Sequence, residues 1–204
     1  MRILLVGASG TLGKAIAAEL SARHEIIAAG RNSGALRMDI TDAASIRAAL
    51  KEAGRLDAVI SAAGHVTFAP LEKFTAAPLS ESLHAKGIHD KLMGQVNLAL
   101  AARDVLSGGG SITLTAGILS EHPVAQGSSA SLVNGAIEAY VRAAAIEMPK
   151  GVRINAVSPS VFEESMKDYA PFFRGFEPIP VARAALAYSR SVEGLQTGQV
   201  YRVY

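Results

Sequence analysis

The chain has no cysteine and no tryptophan among its 204 residues, and only 6 Phe and 5 Tyr. Without cysteine there is no disulfide staple and no thiolate chemistry, which fits a reducing compartment. Charge of one sign is lacking too. Lys and Arg number 20 against 18 Asp and Glu, a net charge of +2, and they are scattered with no basic block, so no nucleic-acid partner is expected. No apolar run approaches the ~20 residues of a membrane helix, and Met1 leads straight into an apolar strand pattern without room for a signal peptide. The expectation is a soluble, cytoplasmic protein with a small-molecule partner, no membrane association and no metal site. No repeat or low-complexity linker divides the chain, and half of it is hydrophobic, so residues 1–204 read as one domain able to bury a sizeable core.

What is present is concentrated in Met1 to Gly13, MRILLVGASGTLG. Ile3, Leu4, Leu5 and Val6 form a run too short for a helix and apolar enough for a strand buried on both faces. Gly7, Gly10 and Gly13 follow, and then Lys14 to Leu20 has helical spacing. Strand, glycine-spaced turn and helix together cradle a pyrophosphate: Gly7 permits the turn, Gly10 admits the phosphates and Gly13 lets helix and strand pack closely. About twenty residues further on, an NAD-binding unit places an acid for the ribose 2′-hydroxyl. Here Gly30 and Arg31 stand instead, followed by Asn32 and Ser33. A guanidinium pairs with a 2′-phosphate that an acid would repel, so NADP(H) is expected over NAD(H).

Along the rest of the chain, strands are predicted at 25–29, 36–38, 56–61, 111–115, 152–157 and 199–203. Helices are predicted at 43–53, capped by Thr41 or Asp42, then over most of 71–106, and at 129–148 and 181–191. Gly108 to Gly110 should break the second of these four helical regions from its following strand. Strands alternating with helices imply an α/β fold with a doubly wound parallel sheet.

This order is similar to that of the short-chain dehydrogenase/reductase family over nearly the whole chain. GASGTLG resembles the family's glycine motif, which puts Ser9, Thr11 and Leu12 beside the cofactor with the three glycines. Asp39 and Ile40 are similar to the pair that meets the adenine. Ala62-Ala63-Gly64 resembles the end of the Asn-Asn-Ala-Gly turn, and Arg153 to Pro159 resembles the segment beside the nicotinamide, with Ser160 where glycine is usual and Val161 next. The resemblance implies a single-domain Rossmann fold, seven parallel strands flanked by helices, assembled as a homodimer or homotetramer.

The family's active site is an Asn, a Ser and a Tyr-x-x-x-Lys. Matching segment by segment, Asn97 in Gln95-Val96-Asn97-Leu98 takes the asparagine position. Asn134 takes the lysine position, where it could also hold the nicotinamide ribose, and Ala130 takes that of the tyrosine. Near the serine position stands Gly117. Ala130 has no proton to give, and loss of a placed general acid is worth ~10²–10⁴ in rate. Candidate substitutes are Thr115 and His122, the latter for its near-neutral imidazole; Lys91, six residues before Asn97, reads as a surface residue. Glu163 and Glu164 either meet substrate or begin a helix. The stretch 161–180, a shortened substrate lid, gathers Phe162, Tyr169, Phe172, Phe173 and Phe176, which suit an apolar pocket, a subunit interface or packing on the domain. Two readings follow: an NADPH-dependent oxidoreductase moving a hydride to or from a small carbonyl or alcohol, and a catalytically degenerate NADP-binding sensor or scaffold.

Overall fold

A computed structural model describes residues 1–204. The first strand, β1 (Arg2–Val6), is buried from Ile3 onward, with Ile3, Leu4 and Leu5 wholly inaccessible. Both faces of this strand are covered, as its unbroken apolar run predicts. Around it form α1 (Thr11–Leu20), β2 (Glu25–Gly30), β3 (Leu36–Arg37), α2 (Ala43–Ala53) and β4 (Leu56–Ser61). Asp42 caps α2, its carboxylate accepting the Ala44 N–H at 2.8 Å. All seven strands are parallel in the order β3-β2-β1-β4-β5-β6-β7. The chain therefore leaves β1 toward one edge, then returns to its other side as β4, and the carboxyl ends of β1 and β4 flank the crevice where an open sheet of this kind takes its ligand.

The middle of the chain is less helical than its spacing suggests. Between Leu71 and Glu81 there are only two single 3₁₀ turns, Leu71–Lys73 and Leu79–Glu81, each entered through a proline, Pro70 and Pro78. Proline lacks the N–H that a continuing helix needs and disfavours a helical residue before it. The helix proper starts at α3 (Ala85–Gly87), passes through a π-helical stretch, Ile88–Met93, and continues as α4 (Gly94–Val105). The fifth strand, β5 (Leu106–Thr115), runs through the triple glycine instead of starting after it. Its register against β4 shifts between Leu56 and Ala58. Gly109 takes a φ of +74°, and a Cβ on Gly110 would stand 2.9 Å from the Asp57 carbonyl. Glycine here absorbs a bulge, and the strand survives.

The remaining elements are α5 (Ser128–Glu147), β6 (Arg153–Pro159), the short α6 (Met166–Tyr169), α7 (Val181–Glu193) and β7 (Val200–Val203). One face of the sheet packs on α2, α4 and α5 through Leu4, Leu98, Ile112, Val133 and Ile137. The other packs on α1 and α7 through Ile3, Leu5, Ile16, Ile60 and Tyr188. The Tyr188 hydroxyl lies 2.6 Å from Thr115 Oγ1, which itself donates to the Ser61 carbonyl at 2.5 Å, tying α7 to the ends of β5 and β4. Burial pushes the Tyr188 phenol above its usual pKa, so it stays neutral. No helix is long and apolar enough to cross a membrane. Tyr188→Phe keeps the ring and deletes one buried bond while Thr115 retains Ser61; urea unfolding should register a loss of about 1 kcal/mol.

Candidate active site

The crevice is one groove with two lobes that share Ala62, Ala63, Gly64 and His65. The first lobe, about 360 Å³, is walled by Gly7, Ser9, Gly10, Gly30, Arg31, Asn32, Ser33 and Ile40. Its floor depends on missing side chains. A Cβ on Gly13 would lie 2.1 Å from the Gly7 carbonyl oxygen, and one on Gly7, at φ +85°, 2.8 Å from the Ala62 backbone. The α1 N-terminus carries no side-chain cap, and its first helical bond is Lys14 N–H to the Gly10 carbonyl. The amides before that bond are left for an anion. Such a cradle, which tolerates no Cβ at Gly7 or Gly13, fits a dinucleotide pyrophosphate.

At the far wall Arg31 is exposed, and its Nε pairs with Asp39 at 3.1 Å. Asp39 does not face the lobe. Its carboxylate accepts from the Thr41 N–H at 2.9 Å and the Thr41 hydroxyl at 2.7 Å. Those bonds, with the Arg31 charge, hold it below the usual carboxylate range. Of the pair expected at the adenine, Ile40 lines the lobe and Asp39 braces Arg31. The Ser33 hydroxyl donates to Ser9 Oγ at 2.9 Å, closing the loop after β2 over the glycine turn. Thr11 is exposed outside both lobes, and Leu12 belongs to the second.

The second lobe, about 310 Å³, is mostly apolar. Val66, Phe68, Ile118, Leu119, Val161, Phe162 and Phe173 surround Lys91, Asn134, Ala130 and Pro159. Phe68 meets Phe172 at a ring-centroid distance of 5.0 Å and Tyr169 at 5.8 Å, and Phe173 meets Phe176 at 5.3 Å. The aromatic residues of 161–180 thus both line the lobe and pack onto the domain through Ile118, Leu119 and Ala130. Glu163 begins a 3₁₀ turn, and Glu164 accepts the Val181 N–H at 3.1 Å, closing the start of α7. The helix-start expectation holds for both acids.

Three expected catalytic positions are corrected. Asn97 sits half-buried on α4 and lines neither lobe. Lys91 lines the second lobe in its place, six residues earlier and so about 9 Å back along the helix at the standard rise. His122 is exposed and packs edge-on against Tyr204 at 5.6 Å, outside the groove. Thr115 borders the lobe, but its hydroxyl is taken up by Ser61 and Tyr188.

Lys91 was missed because α-helical phase was carried through residues that form a π-helical stretch. The wider turn rotates everything before it, and such turns favour functional sites. Lys91 Nζ donates to the Ala116 carbonyl at 2.9 Å and to Asn134 Oδ1 at 2.8 Å. Its stem passes over Gly64, φ +119°, where a Cβ would come within 2.7 Å of Lys91 Cα. Burial lowers its pKa to about 8. On the other side of Asn134, a Cβ on Gly117 would stand 3.0 Å from Nδ2. The one signal in the sequence was the absence of a cation at 134, which left Lys86 and Lys91 as the lysines of the adjoining helix.

Comparison with known proteins agrees with this geometry. A family model described as enoyl-(acyl carrier protein) reductase matches residues 7–199. The crystal structure of the protein lin1944 from Listeria innocua is 49% identical, covers 100% of both chains and superposes with a TM-score of 0.95. A small-chain dehydrogenase crystallised with NADPH is 25% identical over 100% of this chain and 96% of its own, with a TM-score of 0.85. Hydroxynaphthalene reductase arp2 of Aspergillus fumigatus is 28% identical over 202 residues, 82% of this chain and 70% of its own. With the seven-stranded parallel sheet, the glycine cradle at its switch point and a family match over nearly its full length, this chain belongs to the short-chain dehydrogenase/reductase family.

Proposed function

We propose that the protein is an NADPH-dependent reductase of small, uncharged carbonyl compounds, working as a homodimer or homotetramer. The observation that carries this reading is the continuity of the groove: a cradle with Arg31 at one end opens directly onto an apolar lobe holding Lys91 and Asn134. Gly7, Ser9, Gly10, Gly13 and the first amides of α1 would hold the pyrophosphate, and Ile40 would cover the adenine. Arg31, Asn32 and Ser33 would surround the 2′-phosphate; the Arg31 bond to Asp39 leaves the guanidinium's other donors for it. Ala62, Ala63, Gly64, Pro159 and Val161 would border the nicotinamide half. The bound nicotinamide supplies or accepts a hydride. The NADPH seen in the 25%-identical dehydrogenase supports the choice of phosphate.

In the second lobe the apolar wall excludes water and suits an uncharged substrate, with Arg absent from the lining. Phe68, Tyr169 and Phe173 suit a flat aromatic ring, and the name of the hydroxynaphthalene reductase relative is compatible with that choice. In this reading Ala130 and Asn134 occupy the family's tyrosine and lysine positions. The methyl group of Ala130, wholly buried, favours a second reading on its own: a sensor that binds NADPH and does not turn over.

Calorimetric titration separates these outcomes. NADPH should bind at least about tenfold more tightly than NADH, and Arg31→Ala should weaken NADPH by about 10–100-fold while leaving NADH nearly unchanged, the worth of a charge-assisted contact. Binding of neither dinucleotide would overturn both readings. Gly13→Ala forces a Cβ into the Gly7 carbonyl; in the same titration it should abolish binding, with a thermal-unfolding loss of about 1–3 kcal/mol from overpacking.

A further inference from the structure

Lys91 is the one side chain of the second lobe that combines an exchangeable proton with a fixed place beside Asn134. The other polar groups there are committed or unassisted. Thr115 is bonded to Ser61 and Tyr188, and Ser160 donates to the Glu177 carbonyl at 3.2 Å. His65 lies exposed at the rim, its Nδ1 2.9 Å from Asp90 Oδ2. Tyr169 stands in the aromatic stack of the lid, and Ser165 has no base hydrogen-bonded to it.

An ammonium carries three protons. Two of those on Lys91 point at the Ala116 carbonyl and Asn134 Oδ1, which leaves the third for a ligand in the lobe. The approach of the lysine stem to Gly64 and the π-helical stretch beneath it are both local departures from regular structure, and both serve to bring this one side chain inward. A charged group drawn under an apolar lid at a cost in solvation is characteristic of function.

We propose that Lys91 donates the proton to the carbonyl oxygen, standing in from a different helix for the phenol that Ala130 cannot supply. This rests on the reductase reading above. In the step the carbonyl carbon receives a hydride from the reduced nicotinamide dinucleotide, which is oxidised as the carbonyl is reduced. The C=O π pair moves to oxygen, the Lys91 Nζ–H bond breaks, and its proton forms the alcohol O–H. The neutral amine then regains a proton from water.

The charged groups around Lys91 do not compete. His65 and Asp90 pair with each other, and Glu138, one turn beyond Asn134 on α5, is bonded by Ser120 and Ser158. With its pKa lowered to about 8 by burial, the group is mostly protonated at neutral pH and acidic enough to give the proton up.

The test compares wild type with Lys91→Arg and Lys91→Met. Three quantities are read: NADPH affinity by calorimetry, turnover on a panel of aryl ketones over about pH 6–10, and lysine ¹³Cε shifts in the NADPH-bound protein. Wild-type kcat/KM for reduction should fall as pH rises through about 8, where the ammonium loses its proton. Both variants should bind NADPH within about threefold of wild type and lose about 10²–10⁴ in kcat, with no rescue by arginine, whose guanidinium does not release a proton. A lysine resonance titrating near 8 should be missing from Lys91→Met. Retained activity and pH profile in Lys91→Arg would overturn the proposal and leave the reductase reading standing, as would the absence of any lysine titrating below the ordinary range. Tight NADPH binding by wild type with no reduction of any ketone would overturn the reductase reading, and the proton donor with it.

Discussion

The contact on which the rest depends is that of α1 against the turn after β1, where the Gly13 backbone lies against the Gly7 carbonyl with no space for a single carbon between them. That closeness sets where α1 begins and how its N-terminal amides aim, and hence where a pyrophosphate can lie. It also fixes the floor shared by the two lobes. Gly7 in turn abuts the Ala62 backbone at the end of β4, so both strands at the switch point are held through unsubstituted backbone. A ligand bound on one side is thereby aligned with whatever stands on the other.

On that other side stand Asn134 and Lys91. Asn134 on α5 carries no charge, and the cation reaches it from the helix opposite, through Lys91. An amide and an ammonium carried on two different helices thus meet in the second lobe. The surroundings accommodate the pair. Gly117 leaves room for the Asn134 amide, and Gly64 leaves room for the lysine stem. Gly117 is there for a neighbour that needs the volume, and Gly64, at φ +119°, meets a demand of its own backbone as well. The geometry of two side chains is written in the absence of two others.

Much of the fold was legible because its signals are local. The run Leu56 to Ser61 is the observed β4, and Ala43 to Ala53 behind Asp42 is the observed α2. Burial on both faces and a capping carboxylate are decided within a few residues. Where the reading failed, the deciding physics was less regular or more distant. Pro70 and Pro78 outweighed the helical spacing around them, and the triple glycine sustained a bulge where a break was expected. Gly7, Gly10, Arg31 and Asn134, which belong to a contiguous turn or a regular helix, line the groove. The place of Lys91 was not legible in the sequence, because six residues of π-helical winding set its phase. His122 and Thr115 had suitable chemistry and unsuitable neighbours: a tertiary contact with Tyr204 holds one outside, and Tyr188, seventy-three positions away, occupies the other.

The segment 161–180 has its two ends fastened to each other. Phe162 pairs with Ile179 in a parallel bridge, Ile179 N–H donates to Val161 and Glu163 N–H to Ile179, while Glu164 grips the start of α7. A segment stapled at its base cannot swing away as a hinged door would. Any change in the shape of the arch is confined to Met166 to Phe176, whose rings stack on one another and on Phe68. Its rings can part only while its base stays closed.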